Sequence, residues 1–140
     1  MSGPSLKKRD AHSSIHEAAI NEAKELRELF LKCLHEGQKE KAIQVVEIII
    51  EHWESRTLKH AESEEEGLYK EIVGENKELE KTVIQLTRDH DLMRRIVGEV
   101  KERLQTKEPD ERIIMFIDSL IIIDEIHNED EMKNLLSNCE

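Results

Sequence analysis

Read in alternating steps of three and four residues, the chain carries four apolar stripes, each long enough for a helix and each ended by a polar or helix-breaking segment. The spacing predicts helices over about 5–36, 39–73, 77–105 and 110–137. Ser5, after Gly3-Pro4, is placed to cap the first, and Gly37 marks the first turn. Gly74 is expected to end the second helix, and the 106–110 segment with Pro109 to end the third. Connections this short favour antiparallel neighbours, so the expected fold is all-α: an up-down-up-down antiparallel four-helix bundle filling residues 1–140 as one domain.

Each stripe changes character part-way along. Helix 3 reads Leu79, Val83, Leu86, His90, Met93, Val97, Val100, Leu104, dry except at His90. Helix 4 reads Ile113, Ile117, Leu120, Asp124, His127, Glu131, Leu135. Helix 2 reads Val46, Ile49, Trp53, Thr57, His60, Glu64, Leu68, Ile72, and helix 1 reads His12, His16, Ala19, Ala23, Leu26, Phe30, Cys33. The pairs His60/Glu64 and His127/Glu131 repeat one spacing, four residues apart, which sets an imidazole and a carboxylate on the same helix face.

Antiparallel helices place residues equidistant from their turn at the same height. From Gly37, His16 lies 21 residues back and His60 23 forward; from Glu75, His60 and His90 each lie 15 away; from Glu108, His90 lies 18 back and His127 19 forward. At about 1.5 Å of rise per residue, the imidazoles of His16, His60, His90 and His127 share a level to within roughly 3 Å. The same count puts His12, Glu64 and Glu131 one turn away, towards one end. Polar groups gathered inside a bundle cost on the order of 1 to 3 kcal/mol each unless something satisfies them. The spacing therefore predicts a metal site held by His16, His60, Glu64, His90, His127 and Glu131, with His12 as a further candidate.

Composition narrows the partners. Only 3% of residues are aromatic, 38% are charged, and Gly and Pro number 5 and 2, as suits a helical chain. A net charge of -11 argues against nucleic acid and against an anionic membrane surface. The longest apolar run, Ile113 to Ile123, is too short to span a bilayer and contains Asp118. No secretory signal opens the chain, so a cytoplasmic location is expected. Cys33 and Cys139 lack metal-ligand spacing.

Imidazole and carboxylate without thiolate suit iron, manganese or zinc. Glu64 and Glu131 are placed to bridge two ions, His90 and His127 to ligate one, His16 and His60 the other, as in di-iron carboxylate bundles. Open positions would admit a small diatomic such as dioxygen or nitric oxide. Asp124 is expected to hydrogen-bond a ligand imidazole of the same stripe, His127.

These segments resemble a hemerythrin-like (HHE) domain. His60-Ala61-Glu62-Ser63-Glu64-Glu65 matches that family's H-x-x-x-E-E, Asp89-His90-Asp91-Leu92-Met93 its lone histidine on helix 3, and His127-Asn128-Glu129-Asp130-Glu131 its second H-x-x-x-E; a histidine early in helix 1 completes the pattern. The resemblance implies a four-helix bundle with a non-haem di-iron cofactor, and roles in reversible oxygen binding, oxygen or nitric oxide sensing, or iron handling. One departure is plain: oxygen-carrying hemerythrins have H-x-x-x-H on the third helix, and here Arg94 stands four residues after His90.

Other readings compete for the same residues. Facing imidazoles can ligate a haem axially, a di-iron centre that binds dioxygen, nitric oxide or peroxide can turn over in oxidase, peroxide or nitric oxide chemistry, and a metal-free interaction bundle needs no ion. His52 is expected at a boundary beside Trp53, His35 at the C-terminal end of helix 1, Tyr69 off the seam on the outside, and Glu62, Glu65 and Glu66 on a solvated acidic face. Trp53 and Met93 read as core, and Arg94 as the partner of an exposed carboxylate.

Overall fold

The computed structural model describes residues 3–106 and 108–138, with side chains described for 11–106 and 108–137; Cys139 lies outside them. The described chain is helical throughout its elements. Helix α1 (Gly3–His35) forms rod one. Rod two is α2 (Lys39–His52), a π-helical turn (Trp53–Leu58), α3 (Lys59–Glu66) and α4 (Leu68–Glu75). A 3-10 turn (Lys77–Leu79) leads into α5 (Glu80–Leu104), which is rod three. Rod four is α6 (Glu111–Asp130), a second π-helical turn (Glu131–Leu135) and a last 3-10 turn (Leu136–Asn138).

The ends of the rods follow local chemistry. Gly37 takes φ 69°, and the N–H groups of Gly37 and Gln38 donate to Leu34 O (3.2 Å) and Cys33 O (2.9 Å), the paired bonds that close a helix through a left-handed glycine. Asp110, in extended backbone, accepts from Ile113 N at 3.2 Å and starts α6. Two expected ends move. Gly74 lies inside α4, which runs on to Glu75 and is capped by extended Asn76, whose Oδ1 accepts from Glu78 N. Ser5 sits within α1, which begins at Gly3.

Rod one packs on rods two and four, and rod three on the same two, so four rods enclose one interior. The stripes face inward as their spacing requires: among the positions described, Ala19, Ala23, Phe30, Val46, Ile49, Trp53, Met93, Val97, Ile113, Ile117 and Leu120 are buried. Burial of each large apolar side chain contributes roughly 1.5–3 kcal/mol. The apolar residues fall into two clusters, a large one built around Phe30, Trp53, Met93 and Ile117, and a small one of Tyr69, Ile72, Leu86, Leu135 and Leu136. Between them along the rods lie the histidines and carboxylates. Among the described residues, no helix is long and apolar enough to cross a membrane.

Rod two is not a straight α-helix, for a reason visible in its stripe. From Val46 to Ile72 the inward positions advance 26 residues, which at about 100° per residue overshoots whole turns by roughly 80°. The π-helical turn, wider than an α turn, takes up that drift just before His60. Gly67 interrupts the rod again, at φ -114° and ψ -86°, where a Cβ would sit 3.2 Å from Ser63 O. Downstream of that break Tyr69 is buried and Leu68 only half-buried.

Candidate metal centre

The histidines named from the stripes come together. Ring centroids lie 5.3 Å apart for His16 and His60, 4.5 Å for His90 and His127, 6.4 Å for His16 and His127, and 5.1 Å for His12 and His60. Glu64 and Glu131, 3% and 0% exposed, are buried among them. Glu64 Oε2 lies 3.1 Å from His12 Nε2 and 3.6 Å from His60 Nε2, and its Oε1 lies 3.4 Å from His90 Nε2. Glu131 Oε1 lies 3.1 Å from His16 Nε2, and its Oε2 3.6 Å from His127 Nε2.

Three groups can each offer ligand atoms within 4.8 Å of one another: His12, His60 and Glu64; Glu64, His90 and His127; and His16, Glu64 and Glu131. Glu64 belongs to all three. His12, half-buried, belongs to the first of these, its Nε2 3.1 Å from Glu64 Oε2.

Electrostatics favours deprotonated carboxylates here. Burial opposes the charge on Glu64, yet the hydrogen bond from His12 and the nearby imidazoles of His60 and His90 hold its carboxyl well below the ordinary range. Glu131 is lowered likewise, burial again opposing and His127 and His16 prevailing. For His127, burial disfavours the charge, but the bonds to Asp89 and Glu131 push the imidazole up to about 10. The site thus concentrates negative charge in a dry interior and holds protons against it.

The outer ring of contacts differs from expectation in four places. His127 Nδ1 donates to Asp89 Oδ2 at 2.9 Å, so its carboxylate partner is Asp89 and not Asp124. His90 Nδ1 donates to Glu65 Oε2 at 2.7 Å, which takes Glu65 out of the solvated acidic face; Glu62 and Glu66 remain exposed. Arg94 secures that carboxylate, its Nη2 donating to Glu65 Oε2 and its Nη1 to Asp91 Oδ1, both at 2.9 Å. Tyr69 is 1% exposed rather than outer: its hydroxyl donates to Glu131 Oε2 and its ring stacks on His90 at 5.7 Å. Burial first, then the charge of Glu131, raises the Tyr69 hydroxyl's pKa. His52, expected at a boundary, is buried with its Nε2 donating to Ala19 O at 3.0 Å. His35, by contrast, is exposed at the end of α1.

Asp124, 1% exposed, is pushed up to about 6 by burial, and its Oδ1 has no hydrogen-bond partner among the described residues. The same holds for His60 Nε2, Glu64 Oε1 and Thr57 Oγ1. An open pocket of about 510 Å³ between α1 and rod two reaches His16, His60 and Thr57 from outside, past Lys59 and Ser63.

A cation fits this donor set. With Nδ1–H of both rings given to carboxylates, His90 and His127 face each other through Nε2 at 3.1 Å, a contact bridged by the proton that His127 holds, and a metal ion in that proton's place would take both lone pairs. Two lone pairs at that distance repel unless a proton or a metal ion lies between them. Nitrogens 3.1 Å apart can each lie about 2.1 Å from one ion, closing an angle of roughly 95°, which suits neighbouring ligands of an octahedron. No family model matches the chain, and no curated protein or solved structure is detectably similar to it.

Proposed function

We propose that the chain is a non-haem di-iron protein of hemerythrin-like type, an antiparallel up-down-up-down bundle that binds or senses a small diatomic such as dioxygen or nitric oxide. One observation supports it above the rest: two buried imidazoles meet Nε2 to Nε2 at 3.1 Å, each with its Nδ1–H given to a separate carboxylate, Glu65 and Asp89. That pattern orients ligand histidines and raises their basicity. Glu64, common to the three ligand groups, is the bridge, and Glu131 the second carboxylate between the halves. His90 and His127 serve one ion; His16 and His60, joined by His12, serve the other. Nitrogen and oxygen donors without thiolate favour iron, with manganese and zinc able to use the same atoms. When bound, the two irons supply open coordination positions and redox equivalents for the diatomic.

The residues of the chain do the rest. Burial between two apolar clusters shields Glu64, His90, His127 and Glu131 from water, the carboxylates would neutralise the ions, and Tyr69 fixes the orientation of Glu131 through its hydroxyl. Haem finds little room, since rings whose nitrogens are 3.1 Å apart leave no space for a flat macrocycle between them. The test is metal analysis and an absorption spectrum on protein purified without oxygen, before and after air. Two irons per chain and a new charge-transfer band are expected. His60→Ala should lose most of the metal, whereas exposed His35→Ala should keep it; equal metal content in the two variants overturns the assignment.

A further inference from the structure

Helix α6 carries apolar residues on two opposite faces, and the core uses one of them. Ile113, Ile117 and Leu120 point inward and are buried. Met115, Ile122 and Ile126 lie roughly 170° round the same helix, at about 100° per residue, and are 56%, 54% and 55% exposed. A helix that is apolar all round is ordinarily covered all round. The outward faces of the rods beside it are of the other kind: α5 shows Lys81, Arg88, Asp91 and Arg95 to solvent, and α1 shows Glu17 and Glu28. In a chain with 38% charged residues, the outward stripe of α6 carries none from Met115 to Ile126.

That stripe keeps the coiled-coil alternation of three and four: Arg112, Met115, Ser119, Ile122, Ile126, Glu129. Reversed about its middle, it is complementary to itself, with Arg112 falling on Glu129, Met115 on Ile126 and Ser119 on Ile122. Arg112 and Glu129 are exposed and make no ion pair among the described residues; Arg112 lies over Phe116, 5.1 Å from the ring centroid. A cation in the first turn of a helix opposes the helix dipole, so α6 itself does not explain the place of Arg112. Ser119 is half-buried and gives its hydroxyl to Met115 O at 2.7 Å, which leaves the middle of the stripe without a donor that needs water. The acidic side chains flanking the stripe, Asp118 and Glu125, are paired with Arg27 and Lys24 of α1, and this lessens repulsion between two acidic copies.

We propose that this face binds a second copy of the chain: α6 pairs with its counterpart antiparallel, about a two-fold axis level with the step from Ser119 to Ile122. Arg112 of each copy then meets Glu129 of the other, and the apolar side chains interleave between the two charged ends. A parallel pair would set Arg112 against Arg112 and Glu129 against Glu129, which charge repulsion disfavours. An unrelated protein gives the stripe no reason to match its own reverse, whereas a second copy does. The pairing is independent of the metal reading.

The test is sedimentation velocity of the full chain at about 0.15 M salt, over concentrations of about 1 to 300 µM, with circular dichroism on every variant. The wild type should pass from monomer to dimer within that range. Ile122→Glu, which buries a charge in both central layers, should raise the dimer dissociation constant about 100-fold. Ile84→Glu, at a residue 62% exposed on α5, should leave it unchanged. Arg112→Glu and Glu129→Arg should each raise it about tenfold, because by symmetry each sets like charges together twice. The double reversal, Arg112→Glu with Glu129→Arg, should return it to within about twofold of wild type. Both replacements carry the charge that the dipole favours at their end of α6, so they do not oppose helix formation. A wild type that stays monomeric throughout, a dimer that Ile122→Glu leaves intact, or equal weakening by Ile84→Glu overturns the proposal. So does a double reversal that fails to rescue the single ones.

Discussion

Glu64 and Glu65 are neighbours in sequence with different duties, and substituting each in turn separates them. Glu64 offers an oxygen to all three ligand groups, whereas Glu65 touches His90 on the far side of the ring. Glu64→Gln should therefore lose both ions, while Glu65→Gln should keep two sites with affinity reduced roughly 10- to 100-fold, as loss of such an outer carboxylate does; competition with a chromophoric chelator reads the difference. His52 bears on acid stability instead. Burial, opposed by the bond to Ala19 and by Glu22, lowers its pKa below 6.5, so as pH falls the unfolded chain takes up that proton before the folded one. The stability is present above 6.5 and lost below it. In metal-free protein, His52→Gln, which can still donate to Ala19 O, should flatten the fall in urea midpoint between about pH 7 and 5; an unchanged slope removes His52 from the account. The inward stripes could name the central histidines and carboxylates because those lie on the seam. Glu65 and Asp89 stayed hidden because each reaches inward from a flank one residue off it.

At the scale of elements, the π-helical turn at Trp53–Leu58 sets the phase of His60 and Glu64 on rod two. Removing exposed Ser55 lets that stretch close to an α-helix, because 25 residues in place of 26 from Val46 to Ile72 match whole turns to within about 20°. The deletion variant should keep its helicity and metal content. Inserting one alanine at the same place adds about 100° of rotation, and it should keep helicity yet lose most of the metal; circular dichroism with metal analysis checks both. The helical content and the inward faces were legible in the three-and-four spacing. The wide turn was written there as well, in successive steps of four, but a step count fixes only the accumulated drift and not where the backbone absorbs it. Gly67 hid Tyr69 for a related reason. The break advances the buried face by one residue, from Leu68 to Tyr69, and a continuous helix period cannot anticipate that.

For the whole molecule, the metal reading makes folding and loading one equilibrium. Several carboxylates and five imidazoles crowd a dry interior in a chain of net charge -11, and a bound cation relieves that crowding. Removal of metal by a chelator should lower the melting temperature by several degrees, and re-addition of ferrous iron should restore it; ligand in hundredfold excess over its Kd stabilises by about 2.7 kcal/mol. An unchanged melting curve contradicts a metal inside the core. The two apolar clusters are of unequal size, and under the metal reading that asymmetry would govern how ions leave. Melting the large cluster means melting the molecule. The small one depends on Leu135 and Leu136, two side chains in the short turns that close rod four, and on Tyr69 and Ile72 beyond a glycine break. Local fraying of that corner would uncover Glu131, which Tyr69 contacts, while leaving the large cluster packed. If the proposed ions are bound, their exchange through that side would be a property of one corner, and its rate could change without alteration of any atom that binds them.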